Sequence, residues 1–142
     1  MTPTLVGRIQ TRLALLSTFG LAWTILVSPL LPAGNAGIGD IYQATFLALI
    51  VVAVFGIVWE LAYHALQQLR WEKDWPIMFG LFQGIPEFLT TRAIVNGLVE
   101  PDPPFAAFFL HFFSTWLLIW IIANGPLRVL VLRWRYRGGR VL

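Results

Sequence analysis

Glu60 and His64 lie four residues apart in this sequence, Glu87 and Arg92 five apart, and His111 stands inside a run of Phe and Leu. A carboxylate and an imidazole one helical turn apart can bind a metal, relay a proton or simply pair. A metal needs further ligands, and Glu87 and Gln68 are the only evident extras, so no metal is expected. Ser114 is close to His111, but no buried Asp is at hand to orient a Ser–His pair. The chain has no Cys, which removes disulfides, zinc thiolates, iron–sulfur clusters and thiol chemistry.

The surroundings of these groups decide what they can do. Hydrophobic residues make up 58% of the 142 residues and charged residues 12%, about half the usual ~25% of a soluble domain. The net charge is +3, but its basic residues sit in clusters between long apolar runs. That pattern orients membrane proteins, and no nucleic-acid partner is expected. The expected partners are the lipid bilayer and either other membrane subunits or further copies of the chain.

A crossing needs roughly 20 helical residues. The sequence predicts an all-α integral membrane protein with four transmembrane helices in one domain, at about 13–31, 41–66, 76–99 and 105–124. The first could be mistaken for a signal peptide, since Arg8 and Arg12 precede it, but its apolar run is long. Pro29 and Pro32 close it. The second has no Pro and should be the longest and straightest. "EPDPP" precedes the fourth, and Gly125-Pro126 ends it. The tail, 125–142, alternates apolar and basic residues and should lie at a membrane surface.

The third segment is the difficult one. Central charges cost roughly 2.5–3.5 kcal/mol each on an insertion scale, whereas a Leu or Ile returns about 0.3–0.6 kcal/mol. Gln83, Pro86, Glu87, Arg92 and Asn96 outweigh its apolar residues. Loop charge still favours crossing. With four spans, Arg8, Arg12, Arg70, Lys73, Arg128, Arg133, Arg135, Arg137 and Arg140 are cytoplasmic, and the outer loops hold only Asp40, Glu100 and Asp102. Both termini are then inside, and neighbouring helices must shelter the polar atoms.

Counting ~1.5 Å per residue from each helix end places Glu87 about 15 Å deep, near the midplane, with Gln83 about 6 Å nearer the cytoplasm. Glu60 falls about 6 Å above the inner boundary, His64 at the interface, and Arg92 and His111 about 8–9 Å below the outer one. The two histidines thus differ in depth by about 20 Å, too far for one haem iron; no cofactor is expected. Gly56, Glu60, His64, Gln68 and Glu72 form one stripe. Gly80, Gln83, Gly84, Glu87 and Thr91 form another, in which Gly80 and Gly84 let a neighbouring backbone approach. Pro86 should kink the third helix or break it, leaving Glu87 at a half-helix end. Arg92 can reach outward to Glu100 or Asp102. Glu87 cannot reach either surface, so it must be protonated, paired across helices or bathed by a wet crevice. Trp71, Trp75 and Trp134 read as an interfacial belt, with Arg128, Arg133, Arg135 and Arg137 anchoring to lipid headgroups.

Quinone-linked thiol oxidases of this size need cysteines, and small exporters carry a carboxylate in the first helix; this chain has neither. The functional expectation is a multi-pass protein of a bacterial cytoplasmic membrane, non-catalytic, acting as a small subunit or scaffold of a larger complex. The alternative is a proton-coupled transporter or channel with Glu87 as the coupling carboxylate and Glu60 and His64 at the exit.

Overall fold

A computed structural model of the chain describes residues 4–72 and 76–141. The described residues are all-helical. Three helices are long and apolar enough to cross a membrane: Leu5–Leu30, Ile38–Leu69 and Phe105–Leu130.

The first run starts at Leu5, well ahead of the expected residue 13. Thr4 caps it by accepting from the Gly7 N–H. Arg8 and Arg12 therefore lie within the helix rather than on its flank. The run comprises α1 (Leu5–Leu15), a π turn (Leu16–Gly20), α2 (Leu21–Val27) and a closing 3₁₀ turn, Ser28–Leu30. In the π turn, Ser17 and Thr18 donate to the carbonyl of Ala14, which occupies an acceptor displaced by the wider ring. An unbroken helix turns about 1,200° from Arg12 to Thr24, some 120° out of register; the inserted residue removes about 100° of that. Arg12, Gly20, Thr24 and Ser28 can thus all turn toward the core.

The second helix, α3 (Ile38–Leu69), has 32 residues, about 48 Å at the standard rise. It exceeds the ~30 Å hydrocarbon slab and packs against α1 and the later helices. Asp40 holds its start by accepting from the Gly37 N–H.

Between residues 76 and 99 the chain forms α4 (Ile77–Phe82) and α5 (Gly84–Asn96). The interruption falls at Gln83, three residues ahead of Pro86, which lies inside α5. Pro86 has no N–H to offer the carbonyl of Phe82, the last residue of α4. The fourth helix, α6 (Phe105–Asn124), ends at Gly125 and leads into α7 (Pro126–Leu130) and α8 (Leu132–Tyr136).

The core is built from Leu16, Ala48, Val51, Val52, Phe88 and Phe112, with neighbouring apolar side chains around them. Phe88 of α5 stands among Phe108, Phe112 and Phe113 of α6, ring centroids 5.7, 5.3 and 5.1 Å away, in the tilted and edge-on arrangements that aromatic rings favour.

The tail is largely exposed through Arg137, and its end makes contacts that the sequence does not announce. It folds back onto α1. Gly138 and Gly139 have φ of 64° and 86°, values that glycine adopts without strain, and they make this reversal. The Thr4 N–H donates to Gly138 O, the Thr11 hydroxyl to Gly139 O, and the Val141 N–H to Gln10 Oε1. A Cβ at Gly7 would overlap the Gly138 carbonyl. Trp134 is 5% exposed and donates from its indole to Thr11 at 2.7 Å, so it is a core residue, not a belt residue. Arg133, Arg135 and Arg137 are exposed, and Trp71 is 98% exposed. Trp75 lies outside the described residues.

Candidate functional site

Arg8 and Arg12 are one turn apart on α1, and both point into the bundle. The Arg8 Nε donates to Glu60 Oε2 at 2.5 Å. Its Nη1 reaches Gln67 Oε1 at 3.4 Å. Arg12 grips two carboxylates. Its Nε donates to Glu60 Oε1 at 3.0 Å, while Nη1 and Nη2 donate to the two oxygens of Glu87 at 2.5 and 2.7 Å. The four side chains are buried, Glu87 most completely at 1% exposure.

Two guanidinium groups and two carboxylates sum to no net charge. The planar fork of Arg12 suits a two-point grip on Glu87. Gly56 makes room for it, since a Cβ there would collide with the guanidinium. Trp116 lies on another side, its ring centroid 5.4 Å from the Arg12 Cζ, within reach of a cation–π contact. Tyr63 donates to the Gln83 carbonyl at 3.2 Å. The arrangement ties α1, α3 and α5 together at buried depth.

Glu60 thus turns to arginine rather than to His64. The half-buried His64 lies 3.5 Å from Gln68 Nε2. Beyond Glu60 the buried face of α3 runs through Tyr63 and Gln67, and Gln68 and Glu72 are exposed, so the four-residue stripe leaves the interior after Glu60. On the third segment, Gln83, Gly84, Glu87 and Thr91 are buried, as their shared face implies. What approaches Gly80 and Gly84 is not a backbone but a pair of indoles. Trp116 donates to Gly80 O at 3.2 Å and Trp120 to Ile77 O at 3.1 Å, and a Cβ at Gly84 would lie 2.8 Å from Trp116 Nε1.

Arg92 reaches neither Glu100 nor Asp102. It donates to the Pro103 carbonyl at 2.8 Å and lies over Phe105 and Phe108. His111 belongs to a second polar seam. Its Nε2 is 2.9 Å from the Thr24 hydroxyl; Ser28 and Thr45 pair at 2.8 Å, and Thr115 donates back to His111 O. This seam links α2, α3 and α6.

A cavity of about 210 Å³ opens beside the ion pairs, with Arg8, Arg12, Glu60, Gln83, Trp116 and Trp120 in its wall. Among the described residues, no group of three or more His, Cys, Asp or Glu comes together to hold a metal. Comparison with protein-family models, with curated proteins and with solved structures gives no match. The chemistry must therefore be read from the geometry.

The sequence reading found Glu60, Gln83 and Glu87 but missed Arg8, Arg12, Gln67 and the Thr24–Ser28 pair. A signal existed: Arg8 and Arg12 share the four-residue spacing used to find Glu60. Standing before an apolar run, they read equally as flanking charge.

Proposed function

We propose that the chain crosses the membrane four times, with α4 and α5 as the third crossing and both termini in the cytoplasm, in the cytoplasmic membrane of a bacterium. In this setting it serves as a small non-catalytic subunit or scaffold of a larger membrane assembly. The observation that carries this reading is the two-point grip of Arg12 on Glu87. An isolated carboxylate on the third segment would oppose insertion. Paired with a guanidinium from α1, it becomes an internal fastener that holds three helices in one relation. The outward faces, including Phe105, Phe109, Leu110, Leu117 and Ile121 of α6, are exposed in the single chain and supply surface for lipid or for a partner's helices.

Purification in a mild detergent tests this. The expected result is copurification of unrelated membrane proteins in fixed ratio, retained in Glu87→Gln preparations only to the extent that the variant folds. A pure homo-oligomer instead supports the second reading, a proton-coupled transporter. One observation favours that alternative: the cavity reaches Arg12 and Glu60, so an entering anion could compete with Glu87 for Arg12. In that case Glu87→Gln abolishes transport by the reconstituted chain while leaving it folded.

A further inference from the structure

The cavity beside the ion pairs contains a charge that the network does not use. Arg128 of α7 forms part of its wall and is half-buried. The Arg128 Nε is shut off from solvent and has no hydrogen-bond partner among the described residues. Among the described residues, the other ionised groups at the cavity balance one another, Arg8 and Arg12 against Glu60 and Glu87. The remaining surface is mostly carbon. Trp116 and Trp120 direct their indole N–H groups to the carbonyls of Gly80 and Ile77, and Trp134 directs its own to Thr11. What they offer the cavity is ring surface, alongside Leu15, Leu16 and Ile119.

We propose that this cavity is a binding site for one anionic membrane lipid, with its phosphodiester on Arg128 and the start of an acyl chain against Trp116, Trp120 and Ile119. An apolar wall with one uncompensated cation selects an amphipathic monoanion. A phosphodiester carries one negative charge and presents paired oxygens to a guanidinium. A zwitterionic headgroup brings an extra cation, and among the described residues lining the cavity the one carboxylate, Glu60, is already held by Arg8 and Arg12; a soluble phosphate leaves the ring surfaces wet. Size agrees. About 210 Å³ is less than the roughly 300–1,000 Å³ of sites that enclose a whole drug-sized ligand. It admits a segment whose remainder stays in the bilayer. The exposed Arg133, Arg135 and Arg137 on the same tail enrich anionic lipid nearby. The proposal rests on the membrane reading above and not on the scaffold role.

The full chain is reconstituted into vesicles of phosphatidylglycerol and phosphatidylcholine in equal parts, then extracted in mild detergent and weighed by native mass spectrometry. One phosphatidylglycerol per chain should survive washing, at least about five-fold favoured over phosphatidylcholine. Arg128→Gln should lower retention at least about five-fold, and Arg128→Lys should keep part of it. Ala123→Phe, which fills the cavity and leaves every charge in place, should also lose the lipid and decides the matter if Arg128→Gln aggregates on gel filtration. Arg137→Gln, on the exposed tail, should behave as wild type. Equal retention by Arg128→Gln and wild type overturns the site. So does equal loss in Arg137→Gln, which would mean diffuse attraction, or displacement of lipid by millimolar inorganic phosphate, which would mean a soluble-anion site. Release of the wild-type chain from vesicles by alkaline carbonate would instead sink the membrane reading itself.

Discussion

Arg12 is the residue on which the interior depends, because it is the shared donor of two buried carboxylates. Removing one member of such a set leaves a charge without its counter-ion, at about 3–5 kcal/mol, whereas replacing the pair by apolar side chains of similar volume is often neutral or better. Arg12→Met should therefore unfold far more easily in detergent than Arg12→Met combined with Glu87→Met, which leaves Arg8 and Glu60 matched one to one. Thermal unfolding of the two variants checks this; a double variant no more stable than the single one removes the pairing argument. At this scale the sequence was only half legible. Glu87 could be placed inward because Gln83, Gly84 and Thr91 share its face. Its partner could not, because an arginine before an apolar run reads the same whether it stays with the headgroups or turns inside. A contact across 75 positions leaves no periodic trace.

The elements explain how those side chains come to meet. The π turn at Leu16–Gly20 sets the rotation between the arginine half of the first run and its Thr24–Ser28 half. Deleting Thr18 should restore a plain α-helix and swing the two halves by about 100° relative to each other. Either the ion pairs or the hydroxyl seam must then break. The expected outcome is a fall in thermal midpoint comparable with that of Arg12→Met; a midpoint within about 2 °C of wild type would count against this role. Nothing in "LSTFG" announces a π turn, since its stability comes from the two faces it reconciles. The long α3 was legible because it lacks Pro, and the limits of α6 because Pro and Gly bracket it. The interruption at Gln83 rather than at Pro86 was not, since a proline acts on the turn before it.

For the whole molecule, the arrangement across the bilayer is the matter to test. The chain has no cysteine, so single substitutions give clean labelling sites. Asn35→Cys and Arg137→Cys both fall at exposed positions. A membrane-impermeant maleimide should label the first on intact cells and the second only after permeabilisation. Labelling of position 137 from outside would overturn the four-span topology and with it the cytoplasmic placement of the tail. The asymmetry of basic residues is the sequence argument for this topology, and the labelling is what tests it. The docking of the tail on α1 was not legible, because it runs through backbone carbonyls and through two glycines whose φ values the sequence does not display.

The grip of Arg12 on Glu87 also has a consequence for biosynthesis. Arg12 leaves the ribosome 75 residues before its carboxylate, roughly 4–15 s ahead at ~5–20 residues per second. Glu60 follows Arg12 by 48 residues and is the earlier counter-ion to emerge. The first two helices can thus leave the insertion channel as a partly matched pair, with one guanidinium in excess, and wait beside it. On the four-span reading proposed above, the third segment, too polar to partition unaided, would then enter the lipid against a helix that already holds its missing charge.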